Sequence, residues 1–169
     1  MQIKKVFRQE RKFLISGEQY YRFSRQFAEL FKEDSHNGKD GYMVRSLYFD
    51  TLGNKDFEEK LAGVECRRKM RLRIYSPQSR TALLEMKQKQ GSNQLKRSLT
   101  ISREHAEELM KGHYEVLLEY SDPFATECYG VLKTNCYIPK SLLNIREWRL
   151  FSKKMTQGLP LTAIYQRQN

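Results

Sequence analysis

The chain has 169 residues and a mass of 20.2 kDa, long enough for one sizeable core, with 39% hydrophobic and 12% aromatic residues. That composition excludes a disordered chain, and no apolar run reaches the roughly 18 residues that a membrane helix needs. Lysine and arginine number 31 against 20 acids, a formal net charge of +11, so an anionic partner is the first expectation.

Three cysteines, Cys66, Cys128 and Cys136, are odd in number and show no Cys-x-x-Cys spacing. They argue against a disulfide framework or a zinc knuckle and for a reducing cytoplasm. The first residues lack the apolar stretch of a signal peptide, and the whole of 1–169 reads as a single domain.

In chain order, residues 4–15 read as a strand. Ser16 then caps a helix in which Tyr20, Phe23, Phe27, Leu30 and Phe31 recur at three- and four-residue spacing, a stripe expected to be core. A polar loop at 33–41 leads to a strand at 42–50, a turn at 51–54 and a short helix at 56–61. Three strands follow at 67–75, 81–89 and 94–101, joined by short polar connections that predict an antiparallel meander. Ser102 caps a helix with Ala106, Leu109 and Met110 on its apolar side and Gly112 as its stop. Further helices are expected at 123–134 and 140–155, Trp148 being a packing residue of the second, and a last strand at 161–167 follows Pro160.

The charge is concentrated where the meander is. Residues 65–97 contain ten lysines and arginines against two acids, Glu65 and Glu85, and hence most of the net charge. Side chains alternate between the two faces of a strand, so parity sorts them. Arg67, Lys69, Arg71 and Arg73 share a face opposite Arg68, Met70, Leu72 and Ile74. Glu85, Lys87 and Lys89 oppose Leu84 and Met86, and Gln94, Lys96, Ser98 and Thr100 oppose Leu95, Arg97, Leu99 and Ile101. The first strand repeats the scheme with Arg8, Glu10 and Lys12 against Phe7, Phe13 and Ile15. A solvated face normally mixes signs, because like charges facing each other across strands are destabilising. Cations at successive positions of one face point to a bound polyanion whose phosphate oxygens they ligate. Glu10 and Glu85 stand out among them, since oxygen ligands amid phosphate-binding cations are what a divalent metal takes.

The segments Arg8-Gln9-Glu10-Arg11-Lys12-Phe13, Ser46-Leu47-Tyr48-Phe49-Asp50-Thr51, Lys60-Leu61-Ala62-Gly63, Arg67 to Tyr75 and Leu84-Glu85-Met86-Lys87 resemble, in order and spacing, the VTC domain. This is the polyphosphate polymerase domain of the vacuolar transporter chaperone complex and its bacterial relatives, within the triphosphate tunnel metalloenzyme superfamily. The resemblance covers residues 5–100 and resumes at 160–167, where Tyr165-Gln166-Arg167 is similar to the family's Tyr-x-Arg strand. It implies an α+β fold: an antiparallel β tunnel of about eight strands with helices packed outside. It also implies binding of triphosphate or polyphosphate with Mn²⁺ or Mg²⁺, and transfer of a nucleoside triphosphate's terminal phosphoryl group onto a growing chain. Matched residue by residue, Lys12, Arg71, Arg73, Lys87 and Arg167 are the implied phosphate-binding residues; parity adds Lys69, Lys89 and Lys96. Glu10 and Glu85 are the expected metal ligands. Triphosphatases of the superfamily begin with Glu-x-Glu-x-Lys, and Arg8 in place of the first Glu favours the VTC branch.

The family's later strands, with a further arginine, an acidic metal ligand and a final basic residue, have no counterpart before Asn169. The expectation is therefore a tunnel incomplete at its C-terminal end, poor in catalysis, and either open or closed by a homodimer along the 161–167 edge. Two other readings are a non-catalytic polyphosphate-binding module and a basic sheet that binds nucleic acid. For the latter the charged face offers Tyr75 but few other aromatics on which bases could stack. His36, His105 and His113 show no metal-binding spacing, and their expected roles are at the surface or at helix caps.

Overall fold

The computed structural model describes residues 6–7, 13–35, 37–38, 41–91, 93–152 and 161–165. The chain forms two compact units, one of residues 1–9 and 45–143 and the other of 10–44 and 144–169.

The first unit is a five-stranded antiparallel sheet in the order β1-β6-β5-β4-β3, with helices against one face. Its strands are β1 (Val6–Phe7), β3 (Tyr42–Thr51, in this unit from Arg45), β4 (Arg67–Ile74), β5 (Thr81–Gln90) and β6 (Asn93–Ser102). Among the described residues β1 and β3 do not pair with each other, so these five strands form an open sheet. β5 and β6 form a tight hairpin in which Gln90 faces Asn93 and Gly91 takes φ 57, a left-handed conformation that costs glycine little.

The even positions of β4 and β5 and the odd positions of β6 point to the helices, placing Met70, Leu72, Leu84, Met86, Leu99 and Ile101 in the core. The helical layer is α3 (Arg103–Lys111), a 3-10 helix (Tyr114–Glu119) and α4 (Pro123–Thr134), which contribute Leu109, Leu117, Phe124, Cys128 and Leu132, all buried. α3 begins where predicted, the Ser102 hydroxyl accepting from the His105 amide at 3.1 Å. It ends at Gly112 with φ 90, where any other residue would be strained. Ala106 and Leu109 are buried, but Met110 is exposed. α4 starts from Asp122, whose carboxylate caps the Phe124 amide at 2.8 Å, with Pro123 at its first position.

The Ser46-to-Thr51 motif has a structural role at its end. Asp50 accepts from the amides of Thr51, Asp56 and Phe57 at 2.7, 2.9 and 3.0 Å. One carboxylate thereby closes the turn after β3 and caps α2 (Lys55–Leu61), whose own N-cap residue, Asn54, makes no side-chain bond.

In the second unit α1 (Gly17–Leu30) starts with a reciprocal capping box between Ser16 and Gln19 and runs into β2 (Phe31–Glu33). β2 and β8 (Leu161–Tyr165) both pair antiparallel with the second half of β7 (Tyr137–Ser152). The Tyr42 hydroxyl donates to the buried Glu147 carboxylate at 3.1 Å.

Three expectations are corrected. Of the helix expected over 140–155, residues 140–152 belong instead to the long strand β7, and 153–155 lie outside the described residues. Its sequence, Leu142-Leu143-Asn144-Ile145-Arg146-Glu147-Trp148-Arg149-Leu150, fits neither period cleanly, and pairing with β2 and β8 decides it. The aromatic stripe of α1 is not core among the described residues, for α1 buries none of its side chains. Phe23 instead stacks on Phe27 and Phe27 meets Phe31 edge to face, with ring centroids 5.8 and 5.5 Å apart. Of the strand expected over 4–15, Val6–Phe7 is β1, Phe13, Leu14 and Ile15 are exposed residues outside any strand, and 4–5 and 8–12 lie outside the described residues.

Candidate functional site: a cationic sheet face

The face of the sheet opposite the helices is built in register. Lys69 on β4 lies directly across from Lys87 on β5, which lies directly across from Lys96 on β6. The next row is Tyr48, Arg71, Glu85 and Ser98, and the one after it Ser46, Arg73, Leu83 and Thr100. On the other side of the lysines stands a row of Arg67, Lys89 and Gln94. The residues singled out on these strands, Lys69, Arg71, Arg73, Glu85, Lys87, Lys89 and Lys96, thus share one face. Glu10, Lys12 and Arg167 lie outside the described residues.

Glu85 organises this face. It is 2% exposed, and three cations converge on it: Arg71 Nε at 2.6 Å and Arg73 Nε at 3.5 Å from Oε2, and Lys96 Nζ at 2.5 Å from Oε1. Arg71 also donates from Nη1 to the Tyr48 hydroxyl at 2.9 Å, and Arg73 from Nη1 to the Tyr75 hydroxyl at 3.2 Å. Each guanidinium lies near its tyrosine ring, at 5.7 and 5.8 Å from the centroid. Burial pulls the Arg71 guanidinium down, but the charges of Glu85 and of the Tyr48 phenol and the hydrogen bonds it donates to both leave it above its ordinary value. Arg71 therefore stays a cation with a fixed orientation.

A buried carboxylate survives only when its partners replace the water it loses, and three cations around one carboxylate do so with positive charge to spare. Together with the neighbouring lysine row, that surplus makes the face receptive to a polyanion. Three buried polar atoms here, Ser46 Oγ, Arg73 Nε and Glu85 Oε1, have no hydrogen-bond partner, the last two being met only by ion pairs. A divalent metal does not fit the described residues. Both Glu85 oxygens are already engaged by cations, and no group of three or more His, Cys, Asp or Glu side chains among the described residues could hold an ion.

Arg71 and Arg73 are more embedded than expected for side chains that only face a ligand, Arg73 being buried in its ion pair. Tyr48 and Ser46 were missed by sequence reasoning, although the even parity of β3 and an antiparallel partner in β4 place them opposite Arg71 and Arg73. Arg97 belongs to the other face. It spans Gln88 and Glu127 and lies 4.7 Å from the Phe124 ring, fastening β6 to α4. His105 is at a helix start, bonded to the Tyr120 hydroxyl, and exposed His113 pairs with Glu108. Cys66 and Cys136 are exposed and Cys128 is buried, its thiol pushed up to about 12 by burial and the adjacent Glu127.

The family model of the VTC domain matches residues 7–154, which include all of this face. The chain belongs to the VTC domain family. No curated protein matches it significantly. Among solved structures it is similar to a Bacillus halodurans protein assigned as an adenylate cyclase, at 15% identity and a TM-score of 0.52, over 96% of this chain and 75% of that one. At that identity the likeness concerns the fold alone. The α+β architecture, an antiparallel sheet with helices outside, is thus that of the triphosphate tunnel superfamily, and no helix among the described residues is long and apolar enough to cross a membrane.

Proposed function

We propose that this VTC domain binds triphosphate and inorganic polyphosphate on the cationic face of the sheet and acts in phosphoryl transfer between a nucleoside triphosphate and a polyphosphate chain. The observation that carries the reading is the in-register row Lys69, Lys87, Lys96 beside Arg71 and Arg73. Three ammonium groups brought side by side on adjacent strands concentrate positive charge on this face, and a linear chain of phosphates presents oxygens at matching short intervals. Such a reaction needs little covalent help from the protein. It needs the phosphates held in line and the charge on the transferring group spread over fixed donors, which arginine forks and lysines supply. If a divalent ion, Mn²⁺ or Mg²⁺, accompanied the nucleotide, it would be held by the phosphates themselves and would neutralise part of their charge.

Titration of the purified chain with tripolyphosphate, ATP and a phosphate-free nucleoside tests this. Binding of the first two, displacement of a bound oligonucleotide by tripolyphosphate, and ATP-dependent lengthening of polyphosphate with Mn²⁺ are expected. Failure to bind tripolyphosphate at low salt refutes the reading. Binding without turnover leaves a phosphate-binding module, and tight oligonucleotide binding that tripolyphosphate does not displace makes the face a nucleic-acid platform.

A further inference from the structure

We propose that Glu85, together with Tyr48, is a positioning residue that aims the phosphate-gripping edges of Arg71, Arg73 and Lys96, and is not a ligand of a metal ion. The inference rests on the phosphate-binding reading above and assigns a specific role within it.

An arginine has a fork of five N–H donors in one plane, and which edge meets a phosphate depends on what holds the rest. In Arg71 the Nε–H is taken by Glu85 at 2.6 Å and Nη1 by the Tyr48 hydroxyl at 2.9 Å. Those two contacts, at Nε and Nη1, fix its plane. Arg73 has the same pattern in weaker form, with Nε 3.5 Å from Glu85 and Nη1 bonded to Tyr75. The Glu85 Oε1 atom holds Lys96 at the end of the lysine row. A single buried acid thus gathers cations from β4 and β6 that would otherwise spread apart, and orders their long side chains before a ligand arrives. Ordering that is already in place need not be supplied when phosphate binds. A metal ligand would require at least one carboxylate oxygen turned away from these cations, at the cost of leaving the buried Arg73 and half-buried Arg71 guanidinium groups or the half-buried Lys96 ammonium unpaired.

Charge alone makes the opposite prediction, which gives the test its force. Glu85→Gln removes a negative charge from the cationic face, so a purely electrostatic receptor would bind polyanions more tightly. A positioned receptor binds them less well. Tripolyphosphate affinity is to be measured in EDTA, without divalent metal, as a function of salt, for wild type, E85Q and Y48F, with thermal unfolding as the check on folding.

The expected result for E85Q is affinity weaker by about fivefold or more in EDTA, with a shallower salt dependence because fewer cations reach the ligand. Affinity equal to or tighter than wild type in EDTA overturns the proposal. So does a loss that appears only when Mn²⁺ is added, which makes Glu85 a metal ligand. Where E85Q does not fold, Y48F decides, since it changes no charge: weakening by about threefold supports the proposal and unchanged affinity overturns it. A wild type that does not bind tripolyphosphate at all removes the phosphate-binding reading itself, whereas a binding wild type with an indifferent E85Q removes only the role of Glu85.

Discussion

Asp56 makes stability depend on pH in a direction opposite to most carboxylates. The residue is buried, its Oδ1 accepts from the Tyr137 hydroxyl at 2.8 Å, and its Oδ2 has no hydrogen-bond partner. Burial, the largest influence, raises its pKa from 3.8 to about 6; the Tyr137 hydrogen bond works against the rise and the charge of Asp50 adds to it. Because the folded state binds this proton more tightly than the unfolded chain, the native protein carries the extra proton between those two values. Stability from this residue therefore falls as pH rises from about 4 through 6, and the full penalty is present above 6. Two units at about 1.4 kcal/mol each put that penalty near 3 kcal/mol as an upper figure. Asp56→Asn keeps an acceptor for Tyr137 and cannot ionise. Urea unfolding of both proteins from pH 4 to pH 8 is the assay. The two are expected to be of similar stability at pH 4, with D56N gaining on wild type by about 2 to 3 kcal/mol at pH 8. The difference between the proteins isolates Asp56 from the exposed acids. Parallel pH profiles would refute the assignment of a buried, protonatable Asp56.

Two substitutions that remove the same charge from opposite faces should behave differently. Lys87→Gln is expected to weaken tripolyphosphate binding several-fold and to reduce its salt dependence. Arg97→Gln should leave that binding near wild type but cost about 1 to 2 kcal/mol in unfolding, because it loses the Glu127 pair and the Phe124 ring; equal effects of the two on binding would show that only net charge matters. Asp50→Ala, which strands three amide donors at the β3–α2 turn, should lower stability by about 2 kcal/mol, and hydrogen exchange should locate the loosening in α2.

The meander was legible because each of its strands has one face on helices, so alternation in 67–102 reports the packing directly. Met70, Leu84 and Leu99 are core on one side while Lys69, Glu85 and Lys96 line the other. Helix boundaries at Ser16, Ser102 and Gly112 were legible for a local reason, since a cap is a bond between near neighbours. The long strand β7 was not, because its partner β2 is distant in sequence and its own pattern favours no period. Nor was the fate of the α1 stripe, since helical spacing of aromatics shows which side is apolar and not what meets it. At the site, parity assembled the cations but could not reveal what Glu85 does. Three contacts from two neighbouring strands define its surroundings, and the register that brings them together appears only when the strands are paired.

The central claim is that the in-register lysines and the Glu85-held arginines form one phosphate-binding surface. A crystal structure of the chain soaked with tripolyphosphate tests it most directly. Phosphate density along Lys69, Lys87 and Lys96, with an oxygen at the open edge of Arg71, is the predicted result. Tripolyphosphate bound elsewhere, with this face unaltered and bare at concentrations that saturate binding in solution, would contradict it.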